Sequence, residues 1–226
     1  MSFQIAIDGP AGAGKSTIAK LVAEKLHFLY IDTGAMYRAM GYYFLSNGVD
    51  YHDEEAVCAG IGGAAVDLEM IDGVQHVLLN GEDVNGVIRT GEVGMAASKV
   101  STYGPVRKKL VASQQAIAGE KNVVMDGRDI GTVVLPDAPL KIYLTASVEK
   151  RAQRRLLDME LLGEEADLET IKKDIEARDH QDKTRAESPL RQAEDAVYLD
   201  SSDLTIEEVT EKILTLAEER GAGAAE

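Results

Sequence analysis

Gly9-Pro10-Ala11-Gly12-Ala13-Gly14-Lys15-Ser16 fits the spacing G-x-x-x-x-G-K-[ST], and its flanks decide how it folds. Phe3-Gln4-Ile5-Ala6-Ile7 precedes it, a short apolar run that predicts a buried strand. Ile18, Leu21, Val22 and Leu26 follow it and share one face of a helix. Strand, glycine loop and helix together make a phosphate cradle. The glycines let the backbone turn tightly with its N–H groups inward, and the helix N-terminus adds partial positive charge at the same point. Lys15 is placed to reach β- and γ-phosphates, and the Ser16 hydroxyl to meet Mg²⁺. A glycine turn that merely joined strand to helix would not need the Lys15-Ser16-Thr17 that opens the helix.

Further along, Phe28–Ile31, Asn122–Met125, Leu140–Leu144 and Val197–Leu199 are apolar runs of strand length, most of them rich in Val, Ile or Tyr. Helical patterns separate them, which predicts an α/β fold with a parallel sheet and helices on both faces. Asp8, Asp32, Asp126 and Asp200 stand at strand ends, where open α/β sheets bind ligands, so an acidic cluster holding Mg²⁺ directly or through water is expected there. The stretch from about Gly48 to Gly94 differs. Val66–Met70 and Gln75–Leu79 flank Asp72-Gly73, and Asn80-Gly81 follows, which predicts an antiparallel meander in a small inserted lobe. Residues from about Ser147 to Arg185 read as charged helix broken near Gly163. Thr205-Ile206-Glu207-Glu208 fits a capping box opening a last helix with the stripe Val209, Ile213, Leu216 and Ala217, and Gly221–Glu226 reads as a frayed tail.

The composition narrows the partners. With 226 residues and 45% hydrophobic content the chain can bury one good core and a small lobe. A net charge of −15 argues against a nucleic-acid polymer, although local arginines can still hold a small anion. No apolar run approaches membrane-spanning length, and the expectation is a cytoplasmic chain without a secretory leader. Cys58 is the one cysteine, which excludes an intrachain disulfide, and it reads as a small buried apolar residue. His27, His52, His76 and His180 lack metal-ligand spacing and read as surface or packing residues.

Three more constellations carry chemistry. Asp32-Thr33-Gly34-Ala35-Met36-Tyr37-Arg38 follows the second strand, and Arg38 is suited to a bidentate grip on phosphate. Asp126-Gly127-Arg128-Asp129-Ile130-Gly131-Thr132 follows the third; Arg128 suits a phosphate and Asp129 an exocyclic amine. Arg178, Asp182 and Arg185 are spaced to share one helix face, and Arg151, Arg154 and Arg155 another. Arg151 and Arg155 taken singly are as readily a solvated face. Beside a phosphate loop, several arginines are what phosphoryl transfer requires, since that reaction is mostly positioning and electrostatics.

Taken together, Gly9–Thr17, Asp32–Arg38, Ala97-Ser98, Val106-Arg107, Asp126–Thr132 and Arg178-x-x-x-Asp182-x-x-Arg185 resemble the bacterial cytidylate kinases of the nucleoside monophosphate kinase family, over nearly the whole chain. The resemblance implies a P-loop sheet of order 2-3-1-4-5 in a single domain. Its core would be 1–47, 95–146 and 186–220, with a monophosphate-binding lobe at about 48–94 and a helical lid at about 147–185. It implies that Gly9, Pro10, Ala11, Gly12, Ala13, Gly14, Lys15, Ser16 and Thr17 hold ATP. It places Ser98, Arg107 and Asp129 at cytosine, and Arg178 and Asp182 at the sugar, with Arg185 beside base or phosphate. Asp32 and Thr33 border the acceptor, Arg38 and Arg128 hold its phosphate, and Arg154 and neighbouring lid arginines reach the transferring group. Thr33 stands where relatives often have serine, and Gln181 and Lys183 where many have arginine.

The expected reaction is Mg²⁺-dependent transfer from ATP to CMP or dCMP by a monomer. An aspartate with arginine and hydroxyl donors matches the edge of cytosine, and uracil would leave the buried acceptor unpaired. Closure of insert and lid would exclude water. Other acceptors (UMP, AMP or shikimate) and a GTP-dependent switch are the rivals. The switch lacks support, because no N-K-x-D segment for guanine is present.

Overall fold

The computed structural model describes residues 2–71, 74–119, 121–161, 163 and 165–223. The chain forms two compact units, one of residues 1–30 and 120–226 and one of residues 31–119.

The first unit is built on β1 (Gln4–Asp8), which runs parallel to β6 (Val123–Gly127) on one side and β7 (Leu140–Thr145) on the other. With β2 (Leu29–Asp32) and β8 (Val197–Asp200) the sheet order is β2-β6-β1-β7-β8. Counted along these five strands this is the expected 2-3-1-4-5. Ile5, Ile7, Val124, Leu140, Ile142 and Leu144 are fully buried or nearly so, as strands covered on both faces require. Over them pack α1 (Lys15–Leu26), through Ile18 and Val22, and α8 (Ile206–Glu219), through Val209, Ile213 and Ala217. Thr205 and Glu208 close the expected capping box. The tail is less frayed than expected: Ala222 is buried in this core and its N–H donates to the Ala217 carbonyl, while residues 224–226 lie outside the described residues. The charged region forms α6 (Val148–Leu161) and α7 (Leu168–Thr184), which pack on each other through Ala152, Ile171 and Ile175; of the expected break, Gly163 is described, and residues 162 and 164 are not.

The second unit has its own core around Met36, Met40, Phe44, Val57, Ile88, Val106 and Leu110. α2 (Thr33–Ser46), α4 (Gly91–Val100) and α5 (Gly104–Ala118) supply most of it. The helix α2 approaches α4 closely enough that a Cβ on Gly41 would lie 2.7 Å from the Ala97 nitrogen. The expected meander is present as β3 (Val66–Ile71), β4 (Val74–Leu79) and β5 (Glu82–Asp83), joined in that order. Asn80 and Gly81, both at positive φ, make the β4–β5 turn, and the Asp72-Gly73 turn lies outside the described residues. The front of the insert departs from the expectation: it is α3 (Glu54–Gly60) followed by a 3₁₀ turn, Ile61–Gly63. Asp53 caps α3 by accepting from the Glu55 and Ala56 N–H groups. Only Val57 of α3 is buried, so the helix has almost no apolar stripe to announce it.

Gly9 has φ 154°, and a Cβ there would lie 1.8 Å from the Leu144 carbonyl oxygen of β7. The loop leaves β1 against a neighbouring backbone that cannot yield. Gly9→Ala should therefore lower stability by about 2 kcal/mol or more, through overpacking and backbone strain. Gly94→Ala, where a Cβ meets nothing within 4 Å inside α4, should raise it by about 0.5–1 kcal/mol. Urea unfolding midpoints of the two variants check this.

Candidate active site

Gly14 is the N-cap of α1, in the left-handed conformation at φ 87°, with no side chain capping the helix start, which leaves the first N–H groups of α1 to a ligand. Lys15, the first residue of α1, is 6% exposed, and its Nζ donates to the Pro10 carbonyl across the loop at 2.8 Å. Burial, then the nearby Arg128 charge, bring Lys15 down to about pKa 7. Asp126, Asp182 and Asp8 offset this only in part, and a phosphate arriving here would favour the charged ammonium further. The Ser16 hydroxyl donates to Asp126 Oδ2 at 2.9 Å, and the Tyr30 hydroxyl donates to Asp126 Oδ1 at 2.8 Å. Arg154 lies over the loop: a Cβ on Gly14 would be 3.8 Å from its Nη1, and its Nη2 donates to the Ser201 carbonyl at 2.8 Å.

Arg151 shares a helix face with Arg154 and Arg155, and the solvated alternative for it taken singly does not hold. It is 3% exposed and forms a buried pair with Asp179 of α7, at 2.6 and 3.1 Å. It also donates to the Ala146 and Ala11 carbonyls, which ties α6 to the phosphate loop. Its guanidinium is committed to holding these segments together, whereas Arg155 is exposed.

At the end of β6, Arg128 Nε donates to Asp182 Oδ2 at 2.8 Å. Burial alone would weaken the charge on each partner, but their mutual attraction outweighs it, so Arg128 is raised and Asp182 lowered from their ordinary values. Asp129 is 4% exposed, with Arg185 Nη2 at 3.9 Å from its Oδ1. Arg178 and Asp182 share the helical face as expected, but Arg185 does not continue it. The helix ends at Thr184, and Arg185 is extended, at φ −58° and ψ 143°. The chain doubles back there: Arg185 Nε and Nη2 both donate to the Ser188 carbonyl, and the Leu190 N–H donates to the Asp182 carbonyl. The guanidinium still lies 3.8 Å from Asp182.

In the second unit, Asp32 caps α2 by accepting from the Ala35 N–H at 2.8 Å, and its other oxygen lies 3.2 Å from Arg38 Nη2 and 3.8 Å from Arg89 Nη2. Asp32 thus holds two arginines, and Arg38 Nε is buried without a hydrogen-bond partner. Thr33 is buried beside it. Arg107 is 3% exposed, stacked at 5.4 Å over the Tyr37 ring, and donates to the Ser101 carbonyl at 3.1 Å. The Ser101 hydroxyl donates to the Ser98 carbonyl, so one turn links Ser98 and Arg107.

The expected acidic cluster does not form. Asp8 caps the backbone at Ile130 and Gly131, and Asp200 caps at Ser202. Asp32 caps α2, which leaves Asp126 as the carboxylate beside Ser16. Among the described residues no group of three or more His, Cys, Asp or Glu is arranged to hold a metal ion. Cys58 is half-buried rather than buried, and desolvation raises its thiol. The sequence alone does not single out Arg89, Tyr30 or Asp179. Asp8 was expected in the acidic cluster and instead caps a turn; Tyr30 was hidden in an apolar run, and Arg89 lies in no distinctive motif.

Because its folded pKa lies below the ordinary 3.8, ionised Asp182 contributes stability above that value and loses it as pH falls through its depressed value. Asp182→Asn should melt lower than the native chain at about pH 7, and its Tm should fall less between about pH 5 and pH 3. Melting curves across that range read both effects.

Comparison with known proteins gives a consistent picture. A profile of the family described as cytidylate kinase matches residues 5–219. A cytidylate kinase of Caldicellulosiruptor bescii is 51% identical over 214 residues, covering 95% of each chain. One of Lactobacillus johnsonii is 50% identical, covering 96% of this chain and 95% of that one. One of Shouchella clausii is 51% identical, covering 96% of each. The match spans both units and every constellation described above, and the chain belongs to the cytidylate kinase family.

Proposed function

We propose that the protein transfers the γ-phosphoryl group of ATP to the phosphate of CMP or dCMP, giving ADP and CDP or dCDP. The observation that carries the base assignment is Asp129. It is a buried carboxylate directly after Arg128, in the same unit as the phosphate loop, and an exocyclic amine is the partner that a buried acceptor of this kind selects. Its 50% identical relatives, named cytidylate kinases, support the same reading.

Gly9–Thr17 bind the ATP phosphates, and Lys15 moves from the Pro10 carbonyl to the β- and γ-phosphates. Arg154 covers the transferring group from above Gly14. In the first unit, Arg128 serves the acceptor phosphate, Asp182 with Arg178 the sugar, and Arg185 the base side next to Asp129. In the second unit, Arg38, with Arg89 beside it on Asp32, serves the acceptor phosphate, and Ser98 and Arg107 serve the base. The acceptor's phosphate oxygen forms the new bond to the γ-phosphorus in line as the bond to the β-phosphate oxygen breaks, and ADP carries off that electron pair. The attacking oxygen is already anionic, so no general base is needed.

Mg²⁺ fits the Ser16 hydroxyl with the Asp126 carboxylate beside it, because this ion takes one or two protein oxygens and completes its shell with phosphates and water. Bound with ATP, it spreads the negative charge of the phosphates. We take 48–94 as the monophosphate-binding lobe, 147–185 as the lid and the rest as core. We also take the protein to be a cytoplasmic monomer. The single cysteine accords with a reducing compartment, and among the described residues no helix is long and apolar enough to cross a membrane.

ADP release with ATP-Mg²⁺ against CMP, dCMP, UMP, AMP, GMP and shikimate tests the reading. Fast turnover confined to CMP and dCMP is expected; preference for another acceptor would void the base assignment. Lys15→Ala should lower kcat by about 10²–10³-fold with the fold retained, read by turnover beside a melting curve. Arg185→Ala should raise the KM for CMP or lower kcat; an unchanged pair would return that arginine to capping the Ser188 carbonyl alone.

A further inference from the structure

The turn that carries Asp129 is capped in an unusual way. Residues Ile130–Val134 form one wide helical turn, and Asp129 occupies its N-cap position. Aspartate is among the best N-cap residues because its side chain readily accepts the first N–H groups of the helix it precedes. Here Asp129 makes no such bond. The carboxylate that caps the turn is Asp8, whose Oδ1 accepts from the Ile130 N–H and whose Oδ2 accepts from the Gly131 N–H, both at 2.7 Å. Asp8 is 5% exposed at the end of β1, directly before Gly9 and over 120 residues away along the chain. A Cβ on Gly131 would lie 3.1 Å from Lys141 and 3.4 Å from Asp8 Oδ2, so glycine permits the close approach.

We propose that Asp8 is a specificity-determining positioning residue: by capping the Ile130–Gly131 turn itself, it keeps the Asp129 carboxylate out of its own N-cap and turned toward Arg185 and the acceptor base. This rests on the assignment of Asp129 to the base. The physical argument is competition for one carboxylate. Two adjacent buried N–H groups require an acceptor, and each costs on the order of 1–3 kcal/mol if left without one. Remove Asp8, and Asp129, at the N-cap position of the same turn, is the carboxylate we expect those N–H groups to draw in. A carboxylate drawn into that cap is no longer available to an exocyclic amine, although the residue is still present. Base selection would then fail by redirection of its reader.

The test is the ratio of kcat/KM for CMP to that for UMP at saturating ATP, a ratio in which any loss at the phosphate loop cancels. It is measured for the native protein, Asp8→Ala, Asp8→Asn, Asp129→Ala and the double variant Asp8→Ala/Asp129→Ala. The expected result is a fall of about tenfold or more in Asp8→Ala, toward the ratio of Asp129→Ala, with no further fall in the double variant, since both changes remove one interaction. Asp8→Asn keeps the shape and one acceptor oxygen, so it should fall part of the way, and it carries the test if Asp8→Ala does not fold. A native ratio in the Asp8 variants, beside a lowered ratio in Asp129→Ala, overturns the role of Asp8 alone. A double variant whose ratio falls by the product of the two single effects also overturns it. A native ratio in Asp129→Ala overturns the base assignment and this inference with it.

Discussion

The hydrogen-bonded ladder on both sides of β1 is the constraint from which the first unit is organised. Asp8 is in register with Gly127 of β6 and with Tyr143 of β7. That register sets the start of the phosphate loop beside the Asp126–Asp129 segment, and Asp126 in reach of Ser16. A slip by one residue would turn every side chain of β1 to the opposite face. Gly9 enforces the same register from the other side, because its backbone passes where no Cβ fits.

Around that ladder the protein buries charge that water would stabilise better. Lys15, Arg151, Asp8, Asp126, Asp129, Asp179 and Asp182 are all less than 9% exposed. Lys15 meets a carbonyl, Arg151 a bidentate carboxylate, and Asp8 a pair of backbone N–H groups. Buried pairs of this kind contribute little net stability, since the cost of desolvation offsets most of the attraction. What they supply is fixed geometry at low solvent exposure, where charge is felt more strongly than in water.

The large pattern was legible because it depends on periodicity and spacing. The five core strands, the phosphate loop, the Thr205 capping box and the β3–β4 pair follow from runs of apolar residues and turn chemistry. The sheet order came through the family resemblance. What escaped depends on where a side chain ends up. Arg151 reads like Arg155 along the helix, yet it is buried because Asp179 and the Ala11 carbonyl meet it. Arg185 fits an i+7 position on paper, but the helix stops one residue short because the chain folds back through Ser188. The strand-end aspartates looked like a cluster, and each turned out to have a separate backbone or hydroxyl partner. The α3 helix buries a single side chain, so no stripe marked it.

The second unit leaves the first after residue 30 and returns at residue 120, and the Leu29 N–H donates to the Asn122 carbonyl close to both crossings. Exit and return are therefore on neighbouring strands at one edge of the sheet. Residues 31–119 have a hydrophobic core of their own, apart from the one around β1. In evolutionary terms this is a splice site. A segment of different length or composition can be exchanged between two adjacent edge positions while the phosphate loop and its register are left untouched.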